Sequence, residues 1–151
     1  AVRSRGLGDV YKRQDKMVWN DNAYDLWMLL NVAFLNQAVW FAGCAFLIWV
    51  GFRFTNNIYN DASTPLLGRV LTTAFCLSVA MFTLGTFMQA GLAMQNTAEA
   101  FAMLKSTGVD MGPGAEGVIA RIGDAPVNPV QWVFLGSVVV MQLVQTWMKK
   151  A

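Results

Sequence analysis

From residue 38 to residue 52 the chain runs AVWFAGCAFLIWVGF, with no polar side chain except the thiol of Cys44. A stretch of that kind leaves few places for a chain to go. Extended back over residues 26–52 it is longer than the roughly 20 residues a helix needs to cross the hydrocarbon core of a bilayer. Two further apolar stretches, residues 68–94 and 130–148, complete a pattern of three transmembrane helices. The composition agrees. Hydrophobic residues make up 56% of the chain and charged residues 13%, about half the usual charged share of a soluble domain. Too few Asp, Glu, Lys and Arg are present to clothe a soluble core, so apolar surface is expected to face lipid. The fold class expected is therefore all-α: a membrane protein with three transmembrane helices in a compact bundle.

The connections carry different signatures. Residues 53–69 hold Asn56, Asn57, Asn60, Asp61, Ser63, Thr64 and Pro65, turn formers and breakers that predict a short polar loop and a second helix starting near Pro65, with Ser63 or Thr64 as its N-cap. The second helix turns amphipathic beyond Met94, through Gln95, Asn96, Thr97, Glu99 and Lys105, and is expected to project past the membrane. A Gly/Pro-rich loop follows between helices 2 and 3, including Gly112-Pro113-Gly114, Pro126 and Pro129, with room for a short surface helix over residues 116–122. No internal repeat or heptad run appears.

The leading segment AVRSRGLGDVYKRQ is basic and unlike the rest of the chain. Back-translated, Asp9-Val10-Tyr11-Lys12-Arg13-Gln14 can be read GAT GTG TAT AAG AGA CAG among its synonymous codings, which resembles the end sequence that a transposase attaches to DNA fragments during sequencing-library preparation. On that resemblance residues 1–16 are an adapter-derived leader and Met17 is the native start, leaving 17–151 as a single membrane domain. Arg3, Arg5, Lys12 and Arg13 are then set aside in judging orientation. The remaining charges, Arg53 and Arg69 around the first loop and Lys149-Lys150 after the third span, favour a cytoplasmic first loop and C-terminus with the N-terminus outside. Trp27 and Trp49 bracket the first span and Trp132 and Trp147 the third, as interfacial aromatics do. A bacterial inner membrane is the expected location.

Several classes of chemistry drop out. Histidine is absent, which removes the commonest metal and haem ligand and the usual neutral-pH base. Cys44 and Cys76 lie in apolar runs, where free cysteines behave as small hydrophobes. The net charge of +2 is scattered rather than striped, unlike a nucleic-acid-binding face. No phosphate loop, nucleophile elbow or calcium loop is present. No catalytic, cofactor or metal site is expected, and the partners expected are the lipid bilayer and other membrane subunits or a second copy of the chain.

The residues singled out are those of helix contact. Ala74, Ser78 and Gly85 share one face of the second helix with Gln89 a turn further on, and small residues let membrane helices approach closely. Packing against the first or third helix and self-association both suit such a face. Gln142, in the third span, is expected to bond either a helix of another subunit or Asn36 or Gln37 of its own chain. The function expected is that of a small non-catalytic integral membrane protein, an accessory or assembly subunit of a membrane complex or a homo-oligomer. The alternative is an oligomeric channel or facilitator for a small neutral solute, lined by Thr72, Thr83, Thr86 and Gln142. An enzyme acting on lipid or quinone ranks third and would need an Asp or Glu of the second loop to meet Lys105 or Arg121 at the membrane surface.

Overall fold

The computed structural model describes residues 21–61 and 63–148. The leader 1–16, Met17 and the Lys149-Lys150 pair lie outside the described residues. Four helices follow one another: α1 (Asp21–Asn60), α2 (Leu66–Ser106), α3 (Gly112–Ile119) and α4 (Pro129–Trp147), with no strand among the described residues. By length and composition α1, α2 and α4 can each cross a membrane. α4 is about 28 Å long, close to the roughly 30 Å hydrocarbon core, whereas α1 and α2 are each about twice that length.

The first helix does not stop at residue 52, where the Asn-rich connection was expected to break it. It continues to Asn60, because polar side chains that favour turns in open chain are here bonded to the helix itself. Thr55 donates to the Phe52 carbonyl at 3.2 Å and Asn60 to the Asn56 carbonyl at 2.8 Å. The connection contracts to residues 61–65. Asp61 organises it, accepting from the Ser63 amide at 2.9 Å and the Ser63 hydroxyl at 2.6 Å, an Asx turn. Ser63 and Thr64 therefore serve the turn rather than capping α2. The carbonyl of Pro65 accepts the first bonds of α2, from Gly68 and Arg69.

Beyond α2 the backbone reverses at Gly108, whose φ of 85° lies in the left-handed region and whose amide closes on the Lys105 carbonyl. This is the ordinary use of glycine just past a helix end. α3 begins a few residues earlier than the expected short helix. The start of α4 is fixed by a reciprocal capping box: Asn128 Oδ1 accepts from the Gln131 amide, and Gln131 Oε1 from the Asn128 amide, both at 2.9 Å.

The contacts fall into two units. One comprises residues up to Asn31 with Met94–Ile122, the other Val32–Ala93 with the segment from Gly123 onward. The first is built round the fully buried Phe101, Ala98 and Ala115, with Val118, Trp27, Leu26 and Ile119 packed against them. Trp27 is thus half-buried in this core, its ring 5.1 Å from that of Phe101. The expected surface helix, α3, buries Ala115 and Val118 here.

In the second unit Ile48 of α1, Val79 of α2 and Val138 of α4 meet at the centre, flanked by Phe52 and Phe75. Polar contacts mark its two ends. At one end Thr55 donates to Gln145 Oε1 at 2.6 Å, and the Trp147 indole N–H to Thr73 Oγ1 at 3.0 Å. At the other, Gln37 Nε2 donates to Gln89 Oε1 at 3.4 Å, and Gly91 lies against the backbone of Pro126. From 37 to 55 on α1 and from 73 to 91 on α2 the helix rise is about 27 Å, the length of α4.

Candidate interaction site on α2

Positions 74, 78, 85 and 89 are separated by steps of four and seven, which return to one side of an α-helix. In the folded chain α1 and α4 leave most of that side uncovered, with Gln89 meeting Gln37 of α1 at one end. Ala74, Ser78 and Gln89 are exposed and Gly85 is half-buried. A Cβ added to Gly85 would meet nothing within 4 Å. Ser78, Gly85 and Gln89 line an open groove of about 570 Å³ together with Met81, Phe82 and Thr86, and Trp40 of α1 forms its far wall. Ala74 is not among the lining residues.

The groove is apolar along its length and polar only at defined points. The Ser78 hydroxyl donates to the Ala74 carbonyl at 2.8 Å and that of Thr86 to the Phe82 carbonyl at 3.1 Å, so each satisfies its donor within α2. Thr86 Oγ1 also lies 3.7 Å from Cys44 Sγ, joining α1 to α2 behind the groove. Gln89 is exposed and its Oε1 accepts a hydrogen bond from Gln37 Nε2, while Gln37 Oε1 is buried without a partner among the described residues.

Gln142 lies elsewhere. It is buried, and its Nε2 donates to the Ile48 carbonyl of α1 at 3.2 Å. The acceptor is neither Asn36 nor Gln37, the intramolecular partners expected. It is a backbone carbonyl, reached because residue 51 is a glycine. Two of the threonines of the expected solute path, Thr83 and Thr86, are also occupied: Thr83 is fully buried and donates to the Val79 carbonyl at 2.8 Å, and Thr86 donates to the Phe82 carbonyl. Of the residues that tie the helices together, Thr55 is not picked out in the sequence, Gln145 and Trp147 read as polar and aromatic residues near the ends of the third span, and Thr73 reads as a hydroxyl able to bond one turn back or across to a neighbour, both of which it does. Thr55 lies near the end of an apolar run, where a hydroxyl looks like loop or interface, and no single-helix pattern reveals a partner ninety residues away.

Outside this unit Lys105 meets Glu116 at 2.5 Å, with both side chains more than half exposed. They border a recess of about 70 Å³ with Asp110, too small for a lipid or quinone ring system. An ion pair open to water of this kind holds a surface together weakly. Among the described residues no three His, Cys, Asp or Glu side chains are placed to share a metal ion. Set against known protein families, curated proteins and solved structures, the chain matches none of them.

Proposed function

We propose that this chain is a small non-catalytic integral membrane protein whose product is helix contact, as an accessory or assembly subunit of a membrane complex or as a homo-oligomer. The contact surface in this reading is the groove of α2. The observation that carries it is the contrast between glycines. Gly51 and Gly91 are filled from within the chain, by Gln142 and by the Pro126 backbone, while Gly85 opens into a groove beside Ser78. A small residue flanked by Trp40, Met81 and Phe82 is the shape into which a partner helix packs closely. The exposed Gln89 amide adds a polar group that an apolar lipid chain cannot satisfy.

The membrane is taken to be a bacterial inner membrane, with the Arg53 to Arg69 connection cytoplasmic and the N-terminus outside. The shared-channel reading has less behind it, since Thr83, Thr86 and Gln142 spend their hydrogen bonds inside the chain.

The test is the mass of the full chain in mild detergent and in lipid nanodiscs by light scattering, beside Gly85→Leu. An oligomer that Gly85→Leu reduces to a well-folded monomer supports self-association. A monomer that co-purifies in fixed stoichiometry with another membrane subunit, lost in Gly85→Leu, supports the accessory role. Failure of both removes the groove from the proposal.

A further inference from the structure

The groove on α2 presents a raised side chain next to a depression. Phe82 is 64% exposed, and three positions on, Gly85 leaves open space where a Cβ would stand. Both lie on the side of the helix that carries Ser78 and Gln89, because offsets of four, seven and eleven from residue 78 return close to one direction. All four residues line the groove, with Trp40 of α1 as its far wall. A surface that holds a knob and a hole at neighbouring levels fits a copy of itself, each knob entering the other's hole.

The polar end of the groove has the same property. Gln89 Oε1 accepts from Gln37 Nε2 at 3.4 Å, while Gln89 Nε2 donates to no group among the described residues. A carboxamide carries two donor hydrogens and an oxygen with two lone pairs. Two Gln89 side chains brought face to face can each donate to the other's oxygen and still keep the bond from Gln37. Ser78 and Thr86 ask nothing of a partner, since their hydroxyls donate within α2.

Copies of one chain enter a membrane in one orientation, so two α2 helices that meet by the same face run parallel about a two-fold axis along the membrane normal. Equivalent residues then stand at one level, Gly85 beside the partner's Gly85 and Gln89 beside the partner's Gln89. We propose that the occupant of the α2 groove is a second copy of this chain, with Phe82 of each copy packed over the partner's Gly85 and the two Gln89 amides bonded across the axis. This pairing rests on the groove being the contact surface of α2, and it selects the symmetric pair from the partners that such a surface admits.

The experiment is oxidative cross-linking of the full chain in phosphatidylcholine vesicles, with one cysteine added as Gly85→Cys, Gln89→Cys or Val140→Cys. Cys44 and Cys76 are buried, and wild type gives their baseline. A disulfide requires Cβ atoms within about 4.5 Å, so covalent dimers are expected at positions 85 and 89 and not at Val140, which is exposed on α4 outside the groove lining. Fluorescence energy transfer between labelled copies gives the dimer dissociation constant, which Gln89→Leu is expected to raise about fivefold, the loss of one interhelical hydrogen bond. An unchanged constant overturns the amide pair. Cross-linking at all three positions reports random collision and overturns the two-fold contact, as does its absence at both 85 and 89. In that last case another membrane subunit that co-purifies with wild type and is lost in Gly85→Leu keeps the groove as a contact surface and excludes the second copy alone. Without such a subunit both the pairing and the contact surface fall.

Discussion

Gln142 reaches the backbone of α1 across a position where a single methyl would block it: a Cβ on Gly51 would stand 2.6 Å from Gln142 Nε2. The buried amide and the glycine form one device, since the 3.2 Å bond to the Ile48 carbonyl exists only while residue 51 has no side chain. Gly51→Ala is expected to cost about 1 kcal/mol, the scale of an interhelical hydrogen bond in a membrane. The flexible amide can swing away and relieve the clash, so the loss is that of the bond. In a Gln142→Ala background the same substitution should cost little, giving a coupling energy of about 1 kcal/mol in a double-mutant cycle measured by reversible unfolding in mixed micelles. Additive costs would show that the two residues act separately.

Two glycines of α2, six positions apart, should respond in opposite ways to one methyl. At Gly91 the added carbon would lie 2.5 Å from Pro126 Cα, and backbone cannot rotate aside as a side chain does. At Gly85 it meets open space. Gly91→Ala is expected to destabilise by about 1–3 kcal/mol through overpacking, while Gly85→Ala should be neutral or slightly stabilising from helix propensity. Thermal unfolding of both variants in one detergent checks the contrast, and equal costs would contradict it.

Phe101 is fully buried against Trp27 and α3, so Phe101→Ala leaves a void that its neighbours cannot readily fill. A loss of about 3 kcal/mol is expected from transfer and cavity terms together. Because the contacts of Phe101 belong to a different unit from those of Gln142, the effect should be local. Hydrogen exchange is expected to speed up at the amides of α3 and to stay unchanged in α4. Uniform acceleration across both would argue that the two units open together.

Three long apolar helices were legible because apolar length is a property of a segment read alone. The start of α4 was nearly so, since Asn128-Pro129 and Gln131 carry their own capping signal. The end of α1 was not. Asn56, Asn57 and Asn60 have poor intrinsic helix preference, and what keeps them helical is local bonding to their own backbone together with the bond from Thr55 to Gln145. Part of that is long-range. The face of Ala74, Ser78, Gly85 and Gln89 was legible as a face from its spacing, but not which side of it would stay open, because that depends on where α1 and α4 pack. The contact of Trp27 was not legible for a related reason: an aromatic near the start of a span carries no sign that Phe101 and α3 will pack against it. Gln142 was singled out as a polar group in an apolar helix, and its acceptor depended on a glycine that carries no side chain to notice.

The turn at Asp61 carries a pH dependence whose sign follows from its bonds. Hydrogen bonds from the Ser63 hydroxyl, first, and then from the Ser63 amide hold the Asp61 carboxyl below the ordinary aspartate value of 3.8. A carboxylate that accepts bonds in the folded chain is favoured there in its charged form. The contribution of the turn is therefore fully present above the unfolded value and is lost as the pH falls through the lower folded one. Between neutral pH and about pH 5 the Ser63 amide should be protected from exchange and its chemical shift constant. Below the ordinary aspartate value both should change together. Asp61→Asn, which keeps an acceptor oxygen but cannot titrate, should flatten that acid transition while leaving the start of α2 in place. An Asp61→Asn protein that kept the wild-type acid transition would show that another group governs it.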